Sequence, residues 1–188
     1  YTESAQAAWG RTVPYLVSVP DFQGEIDTVT PRPADEAAWA AYCKHARAVN
    51  CLQPAQARVE AFRWVKLITR AELEAGLTGD TAVGTLKEIV PLERGDSGRI
   101  TRLRLVGSAR SVEVTGELAI RRVLGKLRSS AFTVESYRDD AGTPVVFAFW
   151  GAGWGHGLGM CQVGAVGLAN QGWTYDAILT HYYRGAKV

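Results

Sequence analysis

The sequence has no apolar run that approaches the length of a membrane-spanning helix. Its three cysteines are too few for a small fold held together by disulfides. A formal net charge of only +2 argues against a nucleic-acid-binding protein, which would need a basic face to neutralise phosphates. Internal repeats and low-complexity segments are also missing. These absences indicate a globular chain, and its 188 residues are enough for one sizeable core.

The most informative segment is 153–165, which begins with four glycines at alternate positions from Gly153 to Gly159. Glycine loses more backbone entropy than any other residue in a helix or a strand, so this spacing is unfavourable for both. The spacing allows positive φ angles and a close approach of the main chain to another group. The side chains among and after the glycines suit a polar ligand with flat faces: Trp154, His156, Met160 and Gln162. A tight strand-to-helix turn is the alternative interpretation.

The rest of the chain predicts an α+β fold. The clearest strand pair is 100–107 with 111–116, where apolar and polar residues alternate on both sides of a turn. Thr69 and Glu72 have the spacing of a capping box, which predicts a short helix ending at Gly76 or Gly79. Further strands are predicted at 59–68, 88–92, 131–137 and 145–150, further helices at 34–49, 117–124, 161–171 and after a Thr174 cap, and irregular structure at 1–21.

We therefore expect antiparallel β-strands with flanking helices, closed by a glycine-rich loop and two C-terminal helices. The chain is predicted to form a single domain over 1–188, in which 34–60 is a helical insertion. It begins at Tyr1 rather than at a methionine, so we expect a processed product or a part of a longer protein.

Two cysteines and a histidine lie close together at Cys43, His45 and Cys51. Three interpretations remain open: a disulfide between the two cysteines, a zinc site that also uses His45, or two unrelated free thiols. Structural zinc usually takes four protein ligands and a tighter cysteine spacing, so zinc is the least favoured. We expect no metal, and we interpret His45 as a surface residue.

The segment 153–165 resembles the C-terminal signature of the stage II sporulation protein D family. That family includes the peptidoglycan lytic transglycosylase of spore formation and the amidase enhancer proteins. Other parts of the chain resemble the same family and extend the match over nearly its whole length: 2–3, 9–10, 14–16, 98–100, 116–125, 127–132, 169–172 and 181–185. Cys161 is a departure, because the family usually has a serine there.

The resemblance implies cleavage of the bond between N-acetylmuramic acid and N-acetylglucosamine to a 1,6-anhydro product. One carboxyl group suffices as acid and base, because the nucleophile is a hydroxyl of the sugar itself. In the family the catalytic glutamate precedes the motif at Thr2 and Glu3, so we expect no catalytic residue on this chain. Glu3 is a poor candidate, since a residue at a flexible end would lack the burial that an acid/base group needs.

The resemblance also implies a site that holds sugars by stacking and hydrogen bonding, without a cofactor. The expected substrate-binding residues are Trp154, His156, Met160, Gln162, His181 and Tyr182. For Met160 and Tyr182, packing in the core is an equally favoured role. The expected partners are peptidoglycan glycan strands, with an N-terminal fragment of the same precursor or a cell-wall amidase, outside the cytoplasm of a bacterium. The alternative to an enzyme is a non-catalytic enhancer that binds the wall and stimulates an amidase.

Overall fold

The computed structural model describes residues 1–21, 35–45 and 59–187. Within these ranges the strands form two three-stranded antiparallel sheets. In the first sheet, β6 (Pro144–Ala152) lies between β1 (Arg63–Thr69) and β5 (Phe132–Arg138). In the second, β3 (Ile100–Gly107) lies between β2 (Leu86–Arg94) and β4 (Ser111–Thr115). The predicted antiparallel strands are thus present.

Helices flank the two sheets and complete the α+β fold, which confirms the predicted class. They are α1 (Ala5–Trp9), α2 (Glu36–Lys44), α3 (Val59–Phe62), α4 (Arg70–Gly76), α5 (Glu117–Val123), α6 (Gln162–Asn170) and α7 (Tyr175–Tyr182), with a 3₁₀ turn at Gly79–Thr81. The last two helices follow the glycines, as predicted. None of the helices in the described part of the chain has both the length and the apolar character that crossing a bilayer requires.

Several predicted boundaries were wrong. Residues 1–21 were expected to be irregular, but α1 forms there because the Ser4 hydroxyl accepts a hydrogen bond from the Ala7 N–H at 3.3 Å. The strand predicted at 59–68 begins only at Arg63, after the short helix α3. Thr174 occupies the N-cap position of α7 but makes no capping hydrogen bond with its side chain. Part of the helix predicted at 34–49 lies outside the described residues.

The predicted capping box at the start of α4 is confirmed. The Thr69 hydroxyl accepts from the Glu72 N–H at 3.2 Å, and the Glu72 carboxylate accepts from the Thr69 N–H at 2.8 Å. With this cap, α4 begins directly after the end of β1, and its Leu73 belongs to the core and is only 1% exposed.

The main core lies between the two sheets and takes residues from both. The second sheet contributes Ile100, Leu103 and Leu105 of β3, while Phe147 and Phe149 of β6 come from the first. A smaller second cluster, formed by Val19, Leu168, Ile178 and Tyr182, joins α6 and α7 to the N-terminal segment. The chain leaves the main core at the end of β6 and reaches the second cluster at α6. The glycines occupy the connection between the two.

Helix α2 packs against the outer face of the first sheet, where it contacts β5 and β6. Trp39 and Cys43 are its buried residues, and Lys44 forms an ion pair with Glu135 of β5 at 2.5 Å. The insertion predicted at 34–60 remains a prediction, since residues 46–58 lie outside the described ranges.

Candidate functional site

The glycine-rich loop, defined as residues 153–161, connects β6 to α6. Its four alternate glycines all have positive φ angles between 71° and 75°, which residues with a Cβ rarely adopt. Trp154 and His156, which lie between the glycines, both have exposed side chains, and the Trp154 residue is 60% exposed. The loop therefore presents an aromatic ring and an imidazole to solvent from one short stretch of chain.

The imidazole of His156 has a defined hydrogen-bonding state. The Leu158 N–H donates to its Nδ1 atom at 2.9 Å. An Nδ1 atom that accepts a hydrogen bond carries no proton, so the neutral ring has its proton on Nε2. Since the side chain is exposed, that N–H is a donor available to a ligand.

Trp154 has a cation beside one face of its ring. The guanidinium carbon of Arg128 lies 5.4 Å from the ring centroid, within the range of a cation–π contact. The Gly155 N–H also donates to the Arg128 carbonyl oxygen at 2.8 Å, which holds the two segments together. Sequence reasoning missed Arg128 because it lies 26 residues before Trp154, and no local pattern connects them.

A buried arginine lies underneath the loop. Arg99 is only 7% exposed, and its Nε donates to the Gly155 carbonyl oxygen at 3.0 Å. Burial lowers the pKa of its guanidinium below the ordinary value, and the negative charge of Glu3 partly offsets this effect. A Cβ atom at Gly157 would lie 2.3 Å from the guanidinium, so the glycine is needed there for space as well as for its φ angle.

Glu3 is buried, which corrects the expectation of a flexible end. It is 2% exposed, its N–H donates to the Gly157 carbonyl oxygen at 2.8 Å, and it pairs with Leu158 in a parallel bridge. Its carboxylate accepts from the Ser97 hydroxyl at 2.7 Å and from the Ser4 N–H at 3.1 Å. Glu3 therefore belongs to the support of the loop, although no feature of the local sequence indicates this.

The other predicted binding residues lie at the C-terminal end of the loop and beyond it. Gln162, the first residue of α6, is exposed, whereas Met160 is half-buried and packs against the second cluster. Tyr182 is fully buried, and its hydroxyl donates to the Asp21 carboxylate at 2.8 Å. Of the two roles left open for Tyr182, the structure is consistent with packing, because a ligand cannot reach the ring.

His181 lies beside a shallow surface cleft of about 460 Å³. The cleft is lined by Trp173, Ala177, Thr180, His181, Arg184 and Gly185. The Nε2 atom of His181 is 3.1 Å from the Pro20 carbonyl oxygen, to which it donates, and the ring makes an edge contact with Trp173. This places His181 on α7 rather than on the loop. Tyr183, two residues further on, contacts the loop through its hydroxyl, which accepts from the Met160 N–H at 3.3 Å.

The cysteines give no metal centre in the described residues, where no group of three or more histidine, cysteine or acidic side chains is suitably placed. Cys43 is buried and has no disulfide partner among the described residues, and burial raises the pKa of its thiol to about 11. Cys51, its candidate disulfide partner, lies outside the described residues. Cys161 is half-buried, and its sulfur accepts from the Gly164 N–H at the start of α6.

Comparison with known proteins identifies related sequences. The family model described as "Domain of unknown function (DUF8618)" matches residues 3–159. The chain is 27% identical over 192 residues to the stage II sporulation protein D of Bacillus subtilis (strain 168), and 28% identical over 188 residues to that of Bacillus amyloliquefaciens. Each alignment covers 100% of this chain and 42% of the relative. The chain thus resembles these proteins over its full length but spans less than half of theirs.

Proposed function

This chain belongs to that family of unknown function, DUF8618, and we propose that it binds peptidoglycan glycan strands through the glycine-rich loop. The observation that carries the proposal is the exposed pair of Trp154 and His156. The backbone between them is held by the hydrogen bond from Arg99 to the Gly155 carbonyl oxygen, and the His156 ring accepts from the Leu158 N–H. Sugars present flat apolar faces and hydroxyl edges, which match an open indole ring and an available imidazole N–H. The similarity to stage II sporulation protein D supports a wall polymer as the ligand.

We further propose that the bound strand is cleaved as a lytic transglycosylase would cleave it, once a carboxyl group from outside this chain is supplied. Glu3, the carboxylate beneath the loop, is buried and already accepts hydrogen bonds from Ser97 and Ser4. The Glu3 carboxylate therefore cannot reach the glycosidic oxygen of a strand bound at Trp154 and His156. The acid/base group of the proposed reaction comes from a further segment of the same precursor, and the chain works outside the cytoplasm of a bacterium, where the wall lies.

The second candidate is a non-catalytic enhancer of a cell-wall amidase. The same engagement of Glu3 favours it, because the loop then holds the glycan without performing chemistry on it. In this case the amidase is the partner, and the chain increases the release of stem peptides rather than of anhydro-sugars.

The binding proposal is tested by titrating purified glycan strands into the chain and into its Trp154→Ala and His156→Ala variants. We expect each substitution to weaken binding about tenfold, the loss expected for a stacked ring or a well-placed hydrogen bond. Trp9→Ala is the matched control, since Trp9 is 53% exposed and has the Arg11 guanidinium 5.4 Å from its ring, but lies on α1. Equal affinity in all four proteins would contradict the proposal.

The two candidates are separated by product analysis. The pure chain is incubated with sacculi, alone and with a cell-wall amidase, and the soluble products are identified by mass spectrometry. We expect no anhydro-muropeptides from the chain alone, and their release would show that it carries its own acid/base group. A faster release of stem peptides when amidase and chain are combined would support the enhancer.

A further inference from the structure

The guanidinium of Arg99 fills the interior of the glycine-rich loop. Its Nε atom donates to the Gly155 carbonyl oxygen, and a Cβ at Gly153 would lie 3.2 Å from its Nη2 atom. A Cβ at Gly157 would lie 2.3 Å from both its Cζ and its Nη1 atoms. One of the four glycines of the loop thus accepts a hydrogen bond from a buried cation, and at two others a side chain would meet the same guanidinium.

Arg99 is connected to the N-terminal segment through a serine. Its Nη1 donates to the Ser97 hydroxyl at 2.9 Å, and that hydroxyl donates to the Glu3 carboxylate at 2.7 Å. Burying a charge costs several kcal/mol unless hydrogen bonds and an opposite charge compensate, and both are present here. The chain from Glu3 to Ser97 to Arg99 to Gly155 is thus a continuous polar path with few alternative arrangements.

Both ends of this path reach the exposed residues of the loop. Gly155, the acceptor for Arg99, lies between Trp154 and His156 in the sequence. At the other end, the Glu3 N–H donates to the Gly157 carbonyl oxygen and Glu3 pairs with Leu158, whose own N–H donates to His156 Nδ1. The backbone on either side of His156 is therefore held by Arg99 on one side and by Glu3 on the other.

We propose that Arg99 is the positioning residue of the loop: with Ser97 and Glu3, it fixes Trp154 in place and keeps His156 in the form that carries its proton on Nε2. The use of this geometry for glycan rests on the function proposed above. Arginine is suited to the task because its planar fork donates to Gly155 and Ser97 at the same time, which a lysine ammonium on a flexible stem does not reproduce.

The test compares Arg99→Lys with the parent chain by ¹⁵N NMR of the histidine ring and by titration with purified glycan strands. We expect the His156 signal of the parent to show the Nε2-protonated form, and Arg99→Lys to shift it toward a mixture of the two neutral forms. Glycan affinity should fall about tenfold, the effect of losing a charge-assisted hydrogen bond. Glu3→Gln, which preserves shape and removes the charge, serves as a second variant if Arg99→Lys does not fold, and is expected to shift the same signal.

Arg110→Lys is the matched control. Arg110 also donates to backbone carbonyl oxygens, those of Gly79, Asp80 and Ala82, but in a different loop. We expect it to leave both the His156 signal and the glycan affinity unchanged, so that a general loss of stability is distinguished from a loss of positioning.

An unchanged His156 signal in folded Arg99→Lys and Glu3→Gln would overturn the inference, whatever the chain binds. A parent chain that binds no glycan, with the His156 signal still altered by Arg99→Lys, would instead refute the proposed function and support the positioning. A shifted signal together with weaker binding supports both.

Discussion

At the scale of single residues, Gly155 and Gly157 allow the loop to be tested with two closely matched substitutions. Their φ angles are 73° and 75°, but a Cβ at Gly155 would have no atom within 4 Å, whereas one at Gly157 would overlap Arg99. We expect Gly155→Ala to lower the free energy of unfolding by roughly 1–2 kcal/mol, for the positive φ angle alone. Gly157→Ala should lower it by clearly more. Urea unfolding measures both, and equal losses would mean that the guanidinium moves aside without cost.

Cys43 leads to a prediction about pH. Burial raises the pKa of its thiol from the ordinary 9.0 to about 11, although the guanidinium groups of Arg94 and Arg63 oppose this. In the reduced protein the unfolded chain therefore loses the thiol proton first, so stability decreases as the pH rises from 9.0 toward 11. The slope is about 1.4 kcal/mol for each pH unit.

The measurement is the free energy of unfolding of the reduced protein across that interval, compared with the Cys43→Ala variant. Subtracting the two profiles removes the contribution of tyrosine and lysine titration. Identical profiles would mean that the thiol is not buried in solution. Whether Cys43 forms a disulfide with Cys51 is measured separately, by peptide mass mapping of the protein before reduction.

At the scale of elements, the capping box of α4 is a local feature whose contribution can be measured. Thr69→Ala removes the acceptor for the Glu72 N–H, and we expect a loss of about 1 kcal/mol in the free energy of unfolding. Thr78→Ala is the control, because Thr78 occupies the N-cap position of the 3₁₀ turn without a capping side-chain hydrogen bond. Chemical denaturation of both variants is the measurement. A similar loss in each would show that the cap itself contributes little.

The same scale shows where sequence patterns succeed. The strand over 100–107 was predicted with its correct ends, because Leu103 and Leu105 face the core while Arg102 and Arg104 form ion pairs with Glu113 on the other face. The alternation of apolar and polar residues in the sequence reflects these two faces of the strand directly. The short helices α1 and α3 were missed, since four or five residues are too few to display a helical period.

At the scale of the whole molecule, the main core indicates how the protein unfolds. Trp64, Phe147 and Phe149 of the first sheet and Leu103 and Leu105 of the second belong to one buried cluster. Because neither sheet can lose its packing without exposing the other, we expect a single cooperative transition. Far-UV circular dichroism and tryptophan fluorescence should report the same midpoint. Separate midpoints would contradict the prediction of a single domain over 1–188.

The sequence by itself determined what depends on neighbouring residues. The glycine spacing, the capping box of Thr69 and Glu72 and the alternation along β3 are local patterns, and each is matched by a local conformation. The same glycine spacing leaves side chains only at alternate residues of the loop, which include Trp154 and His156.

Only the tertiary structure decided what supports the loop. The hydrogen bond from Arg99 to Gly155 spans 56 residues, and the one from Ser97 to Glu3 spans 94, so no sequence window contains either pair. Arg99 and Glu3 are charged residues that a pattern assigns to the surface, and they are buried because each compensates the charge of the other through Ser97. The burial of Tyr182 was decided in the same way, by packing against residues distant in the sequence that no helical period can specify.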